Sequence, residues 1–213
     1  MAVTKHPGPD ELPLGRLEAF SDGVFAIAIT LLVLELGVSA TAATDLTGAI
    51  LGQWEAYLAY VTSFLTIGVM WLRHSAITSV LRAGDVVLYR INLVVLLFAS
   101  FLPFPTKLIG EFVGQPEPER IAVTFYGMVL LLLDLSLVAF GRYAVEGRRL
   151  VRPDAPEARV ELAGGPVSLA FYVVVLAIGF FLPTVAVVLY LAIAIYLGVP
   201  GKTITRMFRR NDT

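Results

Sequence analysis

Several costly side chains recur at the ends of long apolar stretches. Arg16, Ser21 and Asp22 open the first stretch, Trp71, Arg73 and His74 close the second, and Asn92 stands near the start of the third. An ionised Asp22 only accepts hydrogen bonds, whereas Arg16, His74, Asn92 and the Trp71 indole all donate. Such a set can pin one helix against two others. The same residues, taken singly, can also snorkel independently to the water interface. Asp134 stands apart, in the fourth stretch, with Leu130 and Val138 four residues away on either side and so no local helical partner. It calls for a basic residue from another helix, Arg90 or His74, or else it serves as a carboxylate in a proton relay. The chain has no cysteine and two histidines, His6 and His74. No metal-ligand spacing, nucleophile elbow or phosphate loop is present, so the sequence supports neither an enzyme nor a bound cofactor.

The elements that must position these residues are set by lipid. Of 213 residues, 57% are hydrophobic and 15% charged, and the mean hydropathy is +0.80. A soluble domain keeps roughly a quarter of its residues charged. The composition therefore predicts an all-α integral membrane protein. A net charge of −1 offers no basic stripe for nucleic acid. A bilayer core of about 30 Å takes roughly 20 apolar residues per helix. Residues 17–37, 53–72, 86–109 and 121–141 each meet that length. The run 165–200 is too long for one span, and Pro183 at its middle breaks the backbone ladder. Two short helices, 165–182 and 184–200, joined by a tight turn at Phe181–Thr184, bring the expected count to six spans in a single domain. A single kinked, half-buried helix is the alternative.

Orientation follows from the basic residues. With the N-terminus inside, 14 of the 16 lysines and arginines fall on cytoplasmic segments, leaving Lys107 and Arg120 outside. Both termini are then cytoplasmic. Ser39–Ala43 resembles a signal-peptidase site, but Asp22 and Glu35 inside the preceding run, and Asp10, Glu11 and Glu18 before or at its start, argue against a secretory signal. The stretch 142–164, with Pro153, Pro156 and five arginines, reads as a cytoplasmic linker that touches anionic headgroups. In this topology Arg16, Ser21, Asp22, Trp71, Arg73, His74 and Asn92 all lie in the inner leaflet.

The first stretch runs Arg16-Leu17-Glu18-Ala19-Phe20-Ser21-Asp22-Gly23-Val24-Phe25-Ala26-Ile27-Ala28-Ile29-Thr30-Leu31-Leu32-Val33-Leu34-Glu35. It resembles the first helix of the endolysosomal potassium channel family and its bacterial homologues. Ser63-Phe64, Trp71, His74, Asn92 and Ser100-Phe101-Leu102-Pro103-Phe104-Pro105-Thr106 follow in the family's order, so the likeness covers about residues 16–106. It implies a six-helix subunit of a homotetramer in a bacterial cell membrane, with potassium as permeant ion and helix 1 lining a central pore. The motif network then comprises Arg16, Phe20, Ser21, Asp22, Trp71, His74 and Asn92. The constriction corresponds to Ile27, Leu31 and Leu34, with Thr30 near the lumen.

Spacing alone places Ile27, Leu31 and Leu34 on one helical face, as it would any lipid-facing stripe. No Thr-Val-Gly-Tyr-Gly filter is present, so discrimination would rest on an apolar ring that opposes hydrated ions. Glu35, at the outer end of helix 1, has no local partner in the sequence. Four copies at a tetrameric mouth would concentrate cations. The second reading is a proton- or ion-coupled secondary transporter using Asp22, His74 and Asp134.

Overall fold

A computed structural model describes residues 12–37, 45–112, 114–157 and 167–198. The loop positions Lys5, Arg159, Lys202, Arg206, Arg209 and Arg210 that enter the orientation argument, Ser39–Ala43, and the ends of the last run at 165–166 and 199–200 lie outside the described residues. Among the described residues the chain is helical, with no strand and two isolated antiparallel bridges, Leu12 to Gly84 and Leu81 to Val151.

Helix α1 spans Leu14–Leu31 and tightens into a 3-10 turn at Leu32–Glu35. A short α2, Leu46–Leu51, precedes α3, Trp54–Thr78. The third apolar stretch divides into α4, Val86–Phe101, and α5, Pro103–Phe112. A proline at position 103 has no N–H to give the preceding turn, so the ladder restarts there. Helix α6 covers Pro116–Val145, again with proline in its first turn, where a missing N–H costs nothing. Helices α7, Val167–Phe181, and α8, Pro183–Gly198, are separated by Leu182 alone. Phe171 packs edge-on against Tyr196 and the Cβ of Ala186 lies beside Gly179, so α7 and α8 form an antiparallel hairpin.

Among the described residues, four segments are long and apolar enough to cross a membrane: Leu14–Glu35, Trp54–Thr78, Val86–Phe112 and Pro116–Val145. The 15 and 16 residues of α7 and α8 reach about 22–24 Å at 1.5 Å per residue, so each is shorter than a full bilayer core. Direction alternates along the chain. Asp22 of α1 meets Trp71 of α3, while Glu35 at the far end of α1 meets Lys107 of α5. Thr184 at the start of α8 bonds Glu119, and Gly198 at its end lies against Val69. The start of α1 and the end of α8 are therefore at the same end of the bundle.

A continuous apolar core runs through Phe25, Ile67, Met70, Leu88, Leu96, Leu130 and Phe140. Its polar insertion is closed on itself. Thr106 Oγ1 donates to the Leu102 carbonyl and can accept from Ser63, whose hydroxyl in turn accepts from Tyr126, at 2.8, 2.7 and 3.0 Å. Each hydroxyl has a partner, as burial requires. At the far end Glu119, also buried, accepts from the Gly114 amide at 3.1 Å and from Thr184 at 2.9 Å, fastening the α7–α8 turn to the start of α6. Gly114 has φ of 79°, a left-handed conformation that favours glycine.

Candidate functional site

Helix α1 has two faces of different character. Leu17, Ser21, Phe25, Ala28 and Leu32 are buried against the subunit's own bundle, at spacings of four, four, three and four. Ile27, Leu31 and Leu34 point away from it, with exposures of 60%, 39% and 73%. A stripe of large aliphatic side chains outside the core needs an apolar partner other than this chain. The 3-10 winding from Leu32 to Glu35 departs from the unbroken helix expected to residue 37. Because i and i+3 eclipse in a 3-10 turn, Leu34 stays above Leu31. Thr30 shares this outward side, and its hydroxyl donates to the Ile27 carbonyl at 2.9 Å. Ile29 is partly buried and packs on the core, whereas Val33 is exposed.

The polar residues at the start of α1 do meet, but in two separate bonds rather than one cluster around Asp22. Ser21 faces inward. Its hydroxyl donates to the Leu17 carbonyl at 2.8 Å and accepts from Asn92 Nδ2 at 2.9 Å. The Asn92 oxygen is 2.8 Å from His74 Nε2, which must donate because an amide oxygen can only accept. His74 is buried, stacked on Phe140 with ring centroids 5.0 Å apart and tilted against Phe25 at 5.7 Å. A directional chain His74–Asn92–Ser21 thus joins α3, α4 and α1. Asp22, one residue and about 100° further round the helix, is exposed and accepts from the Trp71 indole at 2.8 Å. Arg16 and Phe20 are both exposed. Neither joins these bonds, and Arg16 makes no hydrogen bond or ion pair among the described residues.

Asp134 pairs with neither Arg90 nor His74. Arg73 Nη1 bonds its Oδ1, and the Ser168 hydroxyl lies 2.8 Å from each carboxylate oxygen. Asp134 has no exposed surface, so the pair clips α6 to α3 and α7 inside the bundle. His74 is committed to Asn92, and Arg90 is exposed on α4.

Glu35 also differs from its sequence reading. Lys107 Nζ stands 3.6 Å from it and 3.9 Å from Glu111, so the carboxylate does have a local partner, supplied by α5. These groups, with Glu55, Gln53 and Tyr60, line a cleft of about 590 Å³ at this end of the bundle.

A fourth polar centre was not among the sequence candidates. Asp85 caps α4 by accepting from the Leu88 amide at 2.8 Å, and its other oxygen accepts from the Tyr143 hydroxyl at 2.8 Å and from Arg149. Burial disfavours its charge. The Leu88 amide, the Tyr143 hydroxyl and the Arg149 guanidinium outweigh that and hold its carboxyl below the ordinary range. An aspartate immediately before an apolar helix is the local signature that could have found it.

The all-helical bundle, its four bilayer-length apolar segments and the polar contacts between them define a multi-pass membrane protein. A family model described as endosomal/lysosomal potassium channel TMEM175 matches residues 16–103. A potassium channel of Chamaesiphon minutus is 34% identical over 199 residues, covering 90% of this chain and 96% of its own. A potassium channel of Streptomyces collinus is 40% identical over 148 residues, covering 68% and 72%. The crystal structure of a lysosomal potassium-selective channel TMEM175 homologue from Chamaesiphon minutus matches with a TM-score of 0.75 at 34% identity, over 87% of this chain and 96% of that one. The chain belongs to the TMEM175 family.

Proposed function

We propose that the chain is one subunit of a homotetrameric, potassium-selective cation channel in the cell membrane. In this reading it crosses the bilayer six times with both termini cytoplasmic, and α1 faces the central axis. Ile27, Leu31 and Leu34 form an apolar constriction there, with Thr30 on the same wall. The observation that carries the reading is the outward aliphatic stripe of α1, which the subunit's own bundle leaves uncovered while it buries the opposite face. The relatives named potassium channels support it.

A narrow apolar ring gives an ion no polar partners, so entry requires shedding part of the hydration shell. Potassium sheds water at lower cost than sodium, and the resulting preference is modest. The Ser21–Asn92–His74 chain and the Trp71–Asp22 bond hold α1 at a fixed rotation, keeping the aliphatic stripe toward the axis. Four Glu35 carboxylates at the outer mouth attract cations, each partly neutralised by Lys107.

A coupled carrier would need Asp22, His74 and Asp134 in communication. Their hydrogen bonds instead lead to Trp71, to Asn92, and to Arg73 with Ser168. The deciding experiment is potassium-gradient flux in liposomes holding the purified protein. The channel reading predicts flux that needs no pH gradient and does not saturate at low potassium. Flux that appears only with a proton gradient, or no flux, would contradict it.

A further inference from the structure

The loop between α3 and α4, residues 79–85, is held on two sides by segments remote in sequence. On one side Leu12 and Gly84 exchange two backbone bonds of 2.8 and 3.0 Å, and the Tyr89 hydroxyl donates to the Pro13 carbonyl at 2.5 Å. Gly84 leaves room for this packing, because a Cβ would lie 2.9 Å from the Tyr89 ring and push it aside. These contacts grip the residues that lead directly into α1. On the other side the Arg82 amide donates to Leu150 and the Arg152 amide to Val80, both at 2.9 Å, and Arg82 Nη2 reaches the Arg149 carbonyl at 3.0 Å. These contacts grip the chain that follows α6. Val80, Leu81, Ala83, Leu150 and Val151 are buried within this collar, so it is packed as well as bonded.

Asp85 sits where the two sides meet. One oxygen caps α4, and the other binds Tyr143 at the end of α6 and Arg149 beyond it. We infer that Asp85 is a positioning residue for α1, tying the post-α6 linker through the 79–85 loop to the foot of the helix that lines the pore. The inference rests on the channel reading above. Apolar rings on an axis favour contact with one another and dewetting. A helix carrying such a ring must be held back at its foot for the pore to stay open, and the collar supplies that restraint. Displacement of the linker is thereby transmitted to α1.

The test is Asp85→Asn in the full chain, reconstituted at equal tetramer density. Potassium flux per channel should fall by about fivefold or more, the low end of coupling between distant sites. The bi-ionic reversal potential should be unchanged, because the ring itself is untouched. Leu81 and Val151 face each other as an antiparallel pair flanked by, rather than joined by, the bonds above, a geometry with Cα atoms about 4.5 Å apart that accepts a disulfide. In the Asp85→Asn background, Leu81→Cys with Val151→Cys should restore flux on oxidation and lose it again on reduction. Should Asp85→Asn fail to assemble, Tyr143→Phe removes one bond of the same hub and should give the same pattern with a smaller fall. Unchanged flux per channel, a shifted reversal potential, or no recovery on oxidation would overturn the inference. Amide exchange over residues 12–17 separates this from the channel reading. It should accelerate in Asp85→Asn even if the parent carries no current, and unaltered exchange there would sink the collar on its own.

Discussion

The Trp71 indole donates to Asp22 Oδ1 at 2.8 Å and is the one side-chain bond that ties the exposed side of α1 to α3 among the described residues. Hydrogen bonds to charged groups contribute about 1.5–3 kcal/mol, and exposure puts this one at or below the low end. Trp71→Phe should lower the stability of the purified assembly by about 1 kcal/mol. Asp22→Asn, which keeps an acceptor at the same place, should cost less than Asp22→Leu. Thermal unfolding in one detergent checks the order. Equal stability of all three variants and the parent would mean the bond is incidental.

Asn92 has more at stake, because it and both its partners are buried. Asn92→Leu strands His74 Nε2 and removes the donor to Ser21, and each unsatisfied buried group costs about 1–3 kcal/mol. The expected loss of about 2–4 kcal/mol exceeds that of Trp71→Phe. Denaturant unfolding should rank them in that order, and the reverse ranking would place the main anchor of α1 at Asp22.

Arg73→Met leaves Asp134 charged and buried, which costs about 3–5 kcal/mol. Arg73→Met combined with Asp134→Leu should be milder than Arg73→Met alone, since no charge is then stranded. Asp134→Asn should keep potassium flux in the absence of a pH gradient. Abolished flux in that variant, with assembly intact, would favour the carrier over the channel.

These outcomes bear on what was legible in the residues themselves. That Ser21, Asp22, Trp71, His74 and Asn92 find polar partners on neighbouring helices could be read, because such side chains are too costly in lipid to stand there without partners. Which donor meets which acceptor could not. Neighbouring helical residues differ by about 100°, so the rotation of α1 alone sends Ser21 to Asn92 and Asp22 to Trp71. Asp134 signalled the need for a cation, but its choice of Arg73 depends on how α3 and α6 run side by side. The collar left almost no trace. It is built from four backbone hydrogen bonds between segments with no periodicity, and only the Asp85 cap precedes a recognisable apolar run.

If the proposed pore is right, Glu35 and its partner Lys107 make opposite predictions for cation entry. Glu35→Gln should reduce inward cation current at low ionic strength, and Lys107→Gln should raise it. Both effects should fade near 1 M salt, where the Debye length falls to about 3 Å. Salt-independent changes would mark the pair as a packing contact at the end of α1.

The central claim is that the Ile27 face of α1 meets the permeating ion. Ile27→Asn places a smaller, polar amide on that face, whereas Ile29→Asn places one among partly buried contacts, where it costs folding free energy. The decisive measurement is the bi-ionic potassium–sodium reversal potential of each variant beside the parent, in reconstituted bilayers. Ile27→Asn should raise conductance and move the reversal potential toward zero, with Ile29→Asn leaving it in place. An unchanged potential and current in Ile27→Asn, with both altered in Ile29→Asn, would show that α1 presents a different face to the pore.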